Sequence, residues 1–346
     1  MADQLERYSK QVLFQGIGLE GQQHLRSSRV LLCGCGALGT VLADILVRAG
    51  VGFIRIVDRD FVELSNLQRQ VLFDERDVEQ RLPKAVAAEA KLTAINSEVQ
   101  IEPHVQDIAY DNIVALTEGV DLILDGTDNF EIRFLINDAS LETGIPWIYA
   151  GCIGSHGQSM PIFPGQSACL RCLMGGIPDP ATAETCDTAG VLAPAINVIA
   201  SLQAVNALKI LSGQADAVAR QLTVVDVWDG SLRQINVSDL RDQGDCPACH
   251  NGERLWLSGR QGSQTVVLCG RNAVQISPQQ KHTVSFEDLS DKLSPSGTVQ
   301  HNRYLLRFRL RDPEFDITVF RDGRAIIKGT EDVTQARGIY ARYIGN

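Results

Sequence analysis

The sequence predicts an α/β protein: a mostly parallel sheet with helices on both faces, followed by a small C-terminal α/β appendage. Three observations carry this. Strand-like and helix-like runs alternate through the first 150 residues, the pattern of βαβ units. A glycine-rich turn joins the first strand to the first long helix. Beyond about residue 255 the pattern changes to short strands.

In order, RVLLC (29–33) is a short apolar strand, and ALGTVLADILVRAG (37–50) has helical spacing that stops at Gly50. FIRIVD (53–58) is the second strand. KAVAAEAKLTAI (84–95) is a helix, and VDLILDGTDN (120–129) is a strand running into a loop. Residues 150 to about 254 extend the sheet and hold a Gly/Pro-rich excursion with cysteines, 164–194. PAINVIASLQAVNALKILSG (194–213) is a long helix opened by Pro194, a favoured first-turn residue. QLTVVDVWDG (221–230) is a further strand. In the appendage, TVVLCG, AVQIS, RYLLRFRLR and DITVFRDGRAIIKG are strands, the last two halves joined by a hairpin at Asp322-Gly323, and VTQARGIYARYIG is a closing helix. The reading divides the chain into domains 1–254 and 255–346.

Length and composition bound the function. The 346 residues correspond to roughly two domains. Hydrophobic residues are 44% and charged residues 21%, which excludes wholesale disorder. The formal charge of −10 speaks against a general nucleic-acid surface. No uninterrupted apolar stretch reaches the length of a membrane helix. The N-terminus, MADQLERYSKQ, lacks the basic start and apolar core of a secretory signal. The expectation is a cytoplasmic protein with neither nucleic-acid nor membrane partner. Its nine cysteines then call for metal ligation, catalysis or burial rather than disulfides.

Gly34-Cys35-Gly36-Ala37-Leu38-Gly39 is a G-x-G-x-x-G turn after a strand and before a helix. Its glycines permit close backbone approach to a phosphate, and the helix N-terminus offers free N–H groups. Asp58 ends the next strand, about 20 residues on, where an acid suits a ribose hydroxyl. This much describes a Rossmann-like nucleotide site without choosing between NAD, FAD and ATP. Arg69 in Ser65-Asn66-Leu67-Gln68-Arg69-Gln70, Lys84 at the start of its helix, and Asp128 in Asp125-Gly126-Thr127-Asp128-Asn129 favour ATP. Two cations suit a triphosphate and a carboxylate suits its Mg²⁺.

Cys169-Leu-Arg-Cys172 and Cys246-Pro-Ala-Cys249 are two C-x-x-C pairs. Four thiolates in two such knuckles match a closed tetrahedral Zn²⁺ site. Cys246 to His250 also matches the c-type haem pattern, but haem is attached after export and no export signal is seen. Cys186, in Thr185-Cys186-Asp187-Thr188, is a candidate nucleophile or a buried spectator. Cys33, Cys35, Cys152 and Cys269 read as packing residues, and the histidines form no ligand pattern.

The motifs RYSKQ (7–11), GCGALG, Asp58-x-Asp60, SNLQRQ, Pro83-Lys84, DGTDN and TCDTAGVLAP (185–194) resemble the MoeB/ThiF family of adenylyltransferases, related to ubiquitin-activating enzymes. The resemblance spans about residues 5–250. It implies a homodimer that uses ATP and Mg²⁺ to adenylate the C-terminal glycine of a small ubiquitin-like sulfur carrier ending in Gly-Gly. The carrier would receive sulfur from a cysteine desulfurase or another donor, for molybdopterin, thiamine or a related pathway. The implied ATP contacts are Gly34, Gly36, Ala37, Gly39, Asp58, Asp60, Ser65, Asn66, Leu67, Arg69, Lys84, Asp128 and Asn129. Asp128 is also the implied Mg²⁺ ligand. Lys10 is implied to serve the partner subunit's ATP, and Cys186 to handle sulfur. The resemblance also implies a structural zinc. Two positions depart from the family pattern: Ala37 stands where glycine is common, and Lys10 where arginine is usual. Alanine is accommodated at 37 if its φ stays negative.

Two other readings compete: an NAD-dependent oxidoreductase on the same turn, and a non-catalytic subunit that docks a carrier. In the appendage, Arg303, Arg307, Arg309, Arg311, Arg321 and Arg324 lie on or beside strands. They predict a locally basic region suited to an acidic partner.

Overall fold

The computed structural model describes residues 3–177, 189–242, 244–261, 265–268, 272–278, 283–311 and 314–345. Cys186, Cys269 and His282 lie outside them. The chain forms two compact units, Met1–Gln261 and Gly262–Asn346.

The first unit is an eight-stranded sheet in the order β3-β2-β1-β4-β5-β6-β7-β8. The strands β1 (Arg29–Cys33), β2 (Phe53–Val57), β3 (Gln100–His104), β4 (Leu122–Asp125) and β5 (Trp147–Ile153) pair in parallel. The strands β6 (His156–Ile162), β7 (Gln221–Asp226) and β8 (Ser231–Asn236) continue the sheet antiparallel. The strand order reverses beside β1, so the turns after β1, β2 and β4 meet at the carboxyl edge, where open α/β sheets bind ligands.

Helices cover both faces. On one side lie α1 (Gly18–Ser27), α2 (Ala37–Ala49), α3 (Lys84–Ile95) and, further along the chain, the long helix Ala193–Leu211, over a core of Leu32, Leu42, Leu46, Ile54, Ile56 and Ile199. On the other lie α4 (Phe130–Thr143) and the short α5 (Leu170–Met174), over Leu31, Ile123, Phe134, Trp147 and Trp256. Central strands are apolar on both faces for this reason. Gly50 ends α2 at φ 83°, a left-handed cap.

Helix α6 (Ala193–Leu211) is long and apolar enough, by length and composition, to cross a membrane. It buries Ile196, Ile199, Ala200, Ala204 and Ala207 against the sheet and α2. It also buries Gln203, whose amide donates to the backbone of two strands.

The second unit is an antiparallel sheet in the order β11-β12-β13-β14-β10-β9. Its strands are β9 (Thr265–Leu268), β10 (Ala273–Ile276), β11 (Gly297–His301), β12 (Leu305–Arg311), β13 (Glu314–Phe320) and β14 (Ala325–Lys328). Helices α7 (Phe286–Leu293) and α8 (Val333–Tyr343) bury Phe286, Leu289, Leu293, Ala336 and Tyr340 with Phe308, Ile317 and Ile327.

Within this unit, three of the six arginines expected to make a basic region are paired with aspartates. Arg307 and Arg309 both pair with Asp316, and Arg324, almost fully buried, pairs with Asp322 at 2.6 Å. Arg321 lies over the Phe286 ring and donates to the Arg303 carbonyl. Strand arginines in an antiparallel sheet sit opposite cross-strand partners, and here those partners include aspartates.

Candidate functional site

Two loops form the floor of the site. Gly34 has φ +88°, and a Cβ on it would lie 2.8 Å from the Gly126 carbonyl oxygen. A Cβ on Gly39 or Gly126 would overlap the Gly34 carbonyl. The glycine turn and the Asp125–Asn129 loop therefore touch backbone to backbone, a contact that side chains at these positions would prevent. Gly126 N–H donates to the Cys33 carbonyl (2.8 Å), closing the seam. Ala37 is the first residue of α2 and has no positive φ, so its methyl is accommodated.

A line of alternating charge stands above this floor. The Asp58 carboxylate accepts from Cys35 N–H (2.6 Å) and from Asp60 N–H (2.7 Å), joining the glycine turn to the β2 loop. Burial pushes its carboxyl above the ordinary range, and the nearby Lys84 charge works the other way. Lys84 Nζ lies 3.1 Å from Asp60 Oδ2, and Lys84 is only 4% exposed. Arg59, between the two acids in sequence, pairs with Asp107 at 2.9 Å and Asp60 at 3.7 Å. Burial opposes the Arg59 charge, and the two aspartates more than offset it. Asp128 differs from its neighbours: it is exposed and has no hydrogen-bond or ion-pair partner among the described residues.

The other predicted residues are distributed around these groups. Asn66 is buried, and its Oδ1 accepts from Glu63 N–H in a reciprocal cap of the turn Leu64–Asn66. Ser65 is exposed, Leu67 is half-buried, and Arg69 donates to the Ser65 carbonyl at 2.9 Å. Asn129 caps α4, accepting from Glu131 N–H at 2.8 Å. Its side-chain oxygen is thus committed, which leaves its Nδ2 free of that cap. Lys10 is exposed on the short helix Ser9–Val12, and the site geometry does not involve it. Cys186 lies outside the described residues. The segment just after it is anchored: Gly154 N–H donates to Gly190, and Leu192 N–H donates to Gly154, at the turn beyond the carboxyl end of β5.

Several residues escaped the sequence reading, Arg59 and Asp107 among them. Gln70 is buried beside Gly36, and its Oε1 lacks a partner among the described residues. Asp125, Arg133 and Gln203 form a buried cluster under the Asp125–Asn129 loop. Gln70 and Asp125 stand inside the quoted motifs, so their position was a signal. Nothing in sequence spacing ties Arg133 or Gln203 to the site.

The four predicted zinc cysteines converge. Cys169 Sγ is 3.7 Å from both Cys172 and Cys246 Sγ, and Cys172 and Cys249 Sγ are 3.4 Å apart. All four lie within 4.8 Å of one another. A tetrahedral site with Zn–S near 2.3 Å requires S···S of about 3.8 Å, so the donor set fits zinc. The first knuckle opens α5, where Leu170 N–H donates to Asn137 of α4. The second leads into Trp256, which stacks on Phe134 at 4.5 Å. Its backbone N–H donates to the Asp138 carboxylate. Arg171, between the cysteines, pairs with Glu253 at 2.8 Å. Cys33 and Cys35 are fully buried, and burial drives both thiols upward, as expected of packing residues. Cys152 is half-buried.

The comparisons with known proteins agree with this arrangement. A model of the ThiF family matches residues 8–248. The sulfur carrier protein ThiS adenylyltransferase of Bacillus subtilis (strain 168) is 42% identical, over 98% of this chain and 99% of that protein. The SAMP-activating enzyme E1 of Haloferax volcanii is 36% identical, over 72% of this chain and 91% of its own. Among solved structures, E. coli MccB superposes with a TM-score of 0.61 at 23% identity, over 71% of each chain, a likeness of fold. The glycine turn, the paired loops and the cysteine knuckles all fall inside a match that extends over most of the sequence, and the chain belongs to the ThiF family.

Proposed function

We propose that this protein is an ATP-dependent adenylyltransferase. It activates the C-terminal glycine of a small ubiquitin-like sulfur carrier for thiocarboxylate formation. The observation that carries the reading is near full-length similarity to a ThiS adenylyltransferase, with the two nucleotide loops in contact at the sheet's switch point.

The proposed chemistry follows from the substrate's charge. A terminal carboxylate is ionised at neutral pH and needs no general base. One of its oxygens attacks the ATP α-phosphorus; the new P–O bond forms as the bond to the pyrophosphate oxygen breaks. The protein aligns two anions and offsets the charge that gathers on the leaving group. We assign binding of the phosphates to the glycine-turn N–H groups, Lys84 and Arg69, and the ribose to Asp58. Asp128 suits Mg²⁺, because it is exposed and, among the described residues, has no hydrogen-bond or ion-pair partner, with Arg59 and Arg133 feeling its charge only at longer range. A magnesium ion is held by few carboxylates and by substrate phosphates, whose charge it offsets. Lys84 is prepaid by Asp60 in the free protein, so nucleotide binding must draw it, at least in part, from that carboxylate.

The acyl-adenylate is then open to a sulfur nucleophile, with AMP as leaving group. Cys186 is the proposed thiol of this chain. Its segment returns to the carboxyl edge of the sheet at Gly190. Cys169, Cys172, Cys246 and Cys249 are assigned a structural zinc. We further propose a homodimer. Exposed Leu13 and Phe14 on the N-terminal segment, and Val198 and Val205 on one face of α6, support a second copy as cover. A cysteine desulfurase or another sulfur donor, and a cytoplasmic setting, complete the reading.

ATP–pyrophosphate exchange, with and without a carrier ending in Gly-Gly, tests it. Carrier-dependent exchange is the expected result. Absence of exchange together with NAD reduction overturns it in favour of an oxidoreductase.

A further inference from the structure

A loop that presents an exposed carboxylate, without a hydrogen-bond or ion-pair partner among the described residues, needs something to aim it. Asp128 sits between β4 and α4, and the Asp125–Asn129 backbone has to be held without filling the space its glycine leaves open. The groups that hold it lie beneath.

Asp125 is fully buried, and both its carboxylate oxygens are used. Oδ1 accepts from Thr127 N–H (2.9 Å) and Thr127 Oγ1 (2.8 Å). Oδ2 accepts from Arg133 Nε (3.1 Å) and Ala150 N–H (3.3 Å). Arg133, on the first turns of α4, is 5% exposed. Its Nη2 donates to the Thr127 carbonyl at 2.7 Å. Its guanidinium lies over the Phe130 and Tyr149 rings, at 5.0 and 5.5 Å. From the other face, Gln203 Nε2 donates to the Asp125 and Ile148 carbonyls, both at 2.9 Å.

Thr127 is thus gripped at its N–H, its hydroxyl and its carbonyl. The Thr127–Asp128 peptide is planar and trans, so its C=O and N–H point in opposite directions. With the carbonyl turned in toward Arg133, the Asp128 N–H turns away from the buried side. Asp128 follows, outward and exposed.

We propose that Arg133 is a positioning residue. By binding Asp125 and the Thr127 carbonyl together, it fixes the Thr127–Asp128 peptide and so the direction in which Asp128 is presented. Gln203 anchors the same point from α6. The inference rests on the nucleotide-site reading above, and it concerns how the loop is held rather than what it binds.

Arg133→Lys tests it. Lysine keeps a cation beside Asp125 but cannot reproduce the planar fork that reaches two acceptors. The Thr127 and Asp128 amides should then exchange with deuterium faster in the unliganded protein. The Mg²⁺ concentration that half-saturates pyrophosphate exchange should rise about tenfold or more, the usual cost of removing an outer-shell partner. The KM for ATP at saturating Mg²⁺ and the thermal midpoint should change little. A lower thermal midpoint with unchanged loop exchange and unchanged Mg²⁺ dependence overturns the proposal and leaves Arg133 a packing residue. If Arg133→Lys does not fold, Thr127→Val removes only the hydroxyl bond. It should shift loop exchange in the same direction by less, and no shift overturns the proposal. If the wild type shows no Mg²⁺-dependent exchange of pyrophosphate, the nucleotide reading has failed; the amide exchange of the two variants then decides the loop inference alone.

Discussion

The cysteine cluster and the nucleotide end of the first unit solve the problem of gathered charge in opposite ways. At the cluster, four like groups face each other, with sulfurs 3.4 to 3.7 Å apart for the pairs in contact. Four thiolates that close suit a cation held among them. At the nucleotide end, the charges compensate one another in advance: Lys84 on Asp60, Arg59 on Asp107, Arg133 on Asp125. Among the described residues, Asp128 is left exposed without a hydrogen-bond or ion-pair partner. On the proposed reading, the first site needs its ligand in order to be stable, and the second is stable without its ligand and exchanges partners on binding. Metal loss should then be felt through folding, and loss of a nucleotide residue through rate, with a stability cost where that residue is buried.

The largest expected effect tests the first half of that contrast. Elemental analysis should find about one Zn²⁺ per chain. Cys246→Ser should lose it and sharply lower the thermal midpoint, since structural zinc binding in small motifs is worth on the order of 10 kcal/mol. The variant that still folds should bind ATP. A stable, metal-free wild type breaks the comparison.

The next effect tests the second half. Lys84→Ala and Arg69→Ala should each reduce pyrophosphate exchange by about a hundredfold or more, as for a preorganised donor aimed at developing charge. Their stabilities should differ. Removing buried Lys84 takes from Asp60 its nearer cation, leaving Arg59 at 3.7 Å, and from Asp58 the charge that offsets its burial, whereas half-exposed Arg69 contacts a carbonyl. Equal thermal midpoints would contradict the view that the site is compensated in advance.

A smaller set of consequences follows for Cys186. Cys186→Ala should keep pyrophosphate exchange and lose sulfur transfer or a covalent carrier adduct. If exchange and transfer both survive, sulfur reaches the carrier directly from its donor.

The smallest effect lies at the sheet edge, on β3. Hydrogen bonds from Arg55 and then His104 hold the Glu102 carboxyl below its ordinary range. A depressed carboxyl contributes stability above its unfolded pKa of about 4.3, and that stability is lost as pH falls through the lower folded value. Thermal midpoints of wild type and Glu102→Gln should differ slightly at pH 6 and converge in acid. The pair is partly exposed, so solvent screens most of its strength.

The strands and helices that the sequence revealed are those with strong periodicity and punctuation. The helix predicted over 84–95 is Lys84–Ile95, and the one stopping at Gly50 is capped by Gly50. The elements that escaped are short or solvated. β8 lies at the sheet edge with exposed residues along most of its length, and β3, at the opposite edge, carries Pro103. Helix α7 has eight residues, although Ser285 caps it by accepting from Asp288 N–H. Counting charge along the chain does not show that Asp316 answers two of the second unit's arginines across a strand pair.

The sequence by itself determined the chemistry available: a glycine turn after a strand, an acid at the next strand's end, two cations, a carboxylate loop and two cysteine pairs. Each is a local pattern, set by backbone geometry or spacing within a few residues. Tertiary structure decided what those groups do to one another. It brought the distant knuckles to metal distance, stacked Gly34 and Gly39 on Gly126, and paired Lys84 with Asp60. It placed Gln203, from a helix far along the chain, under the Asp125 carbonyl. These contacts depend on strand order and helix packing, and burial gives them their strength, because charge inside a folded sheet must find a partner that the sequence does not place beside it.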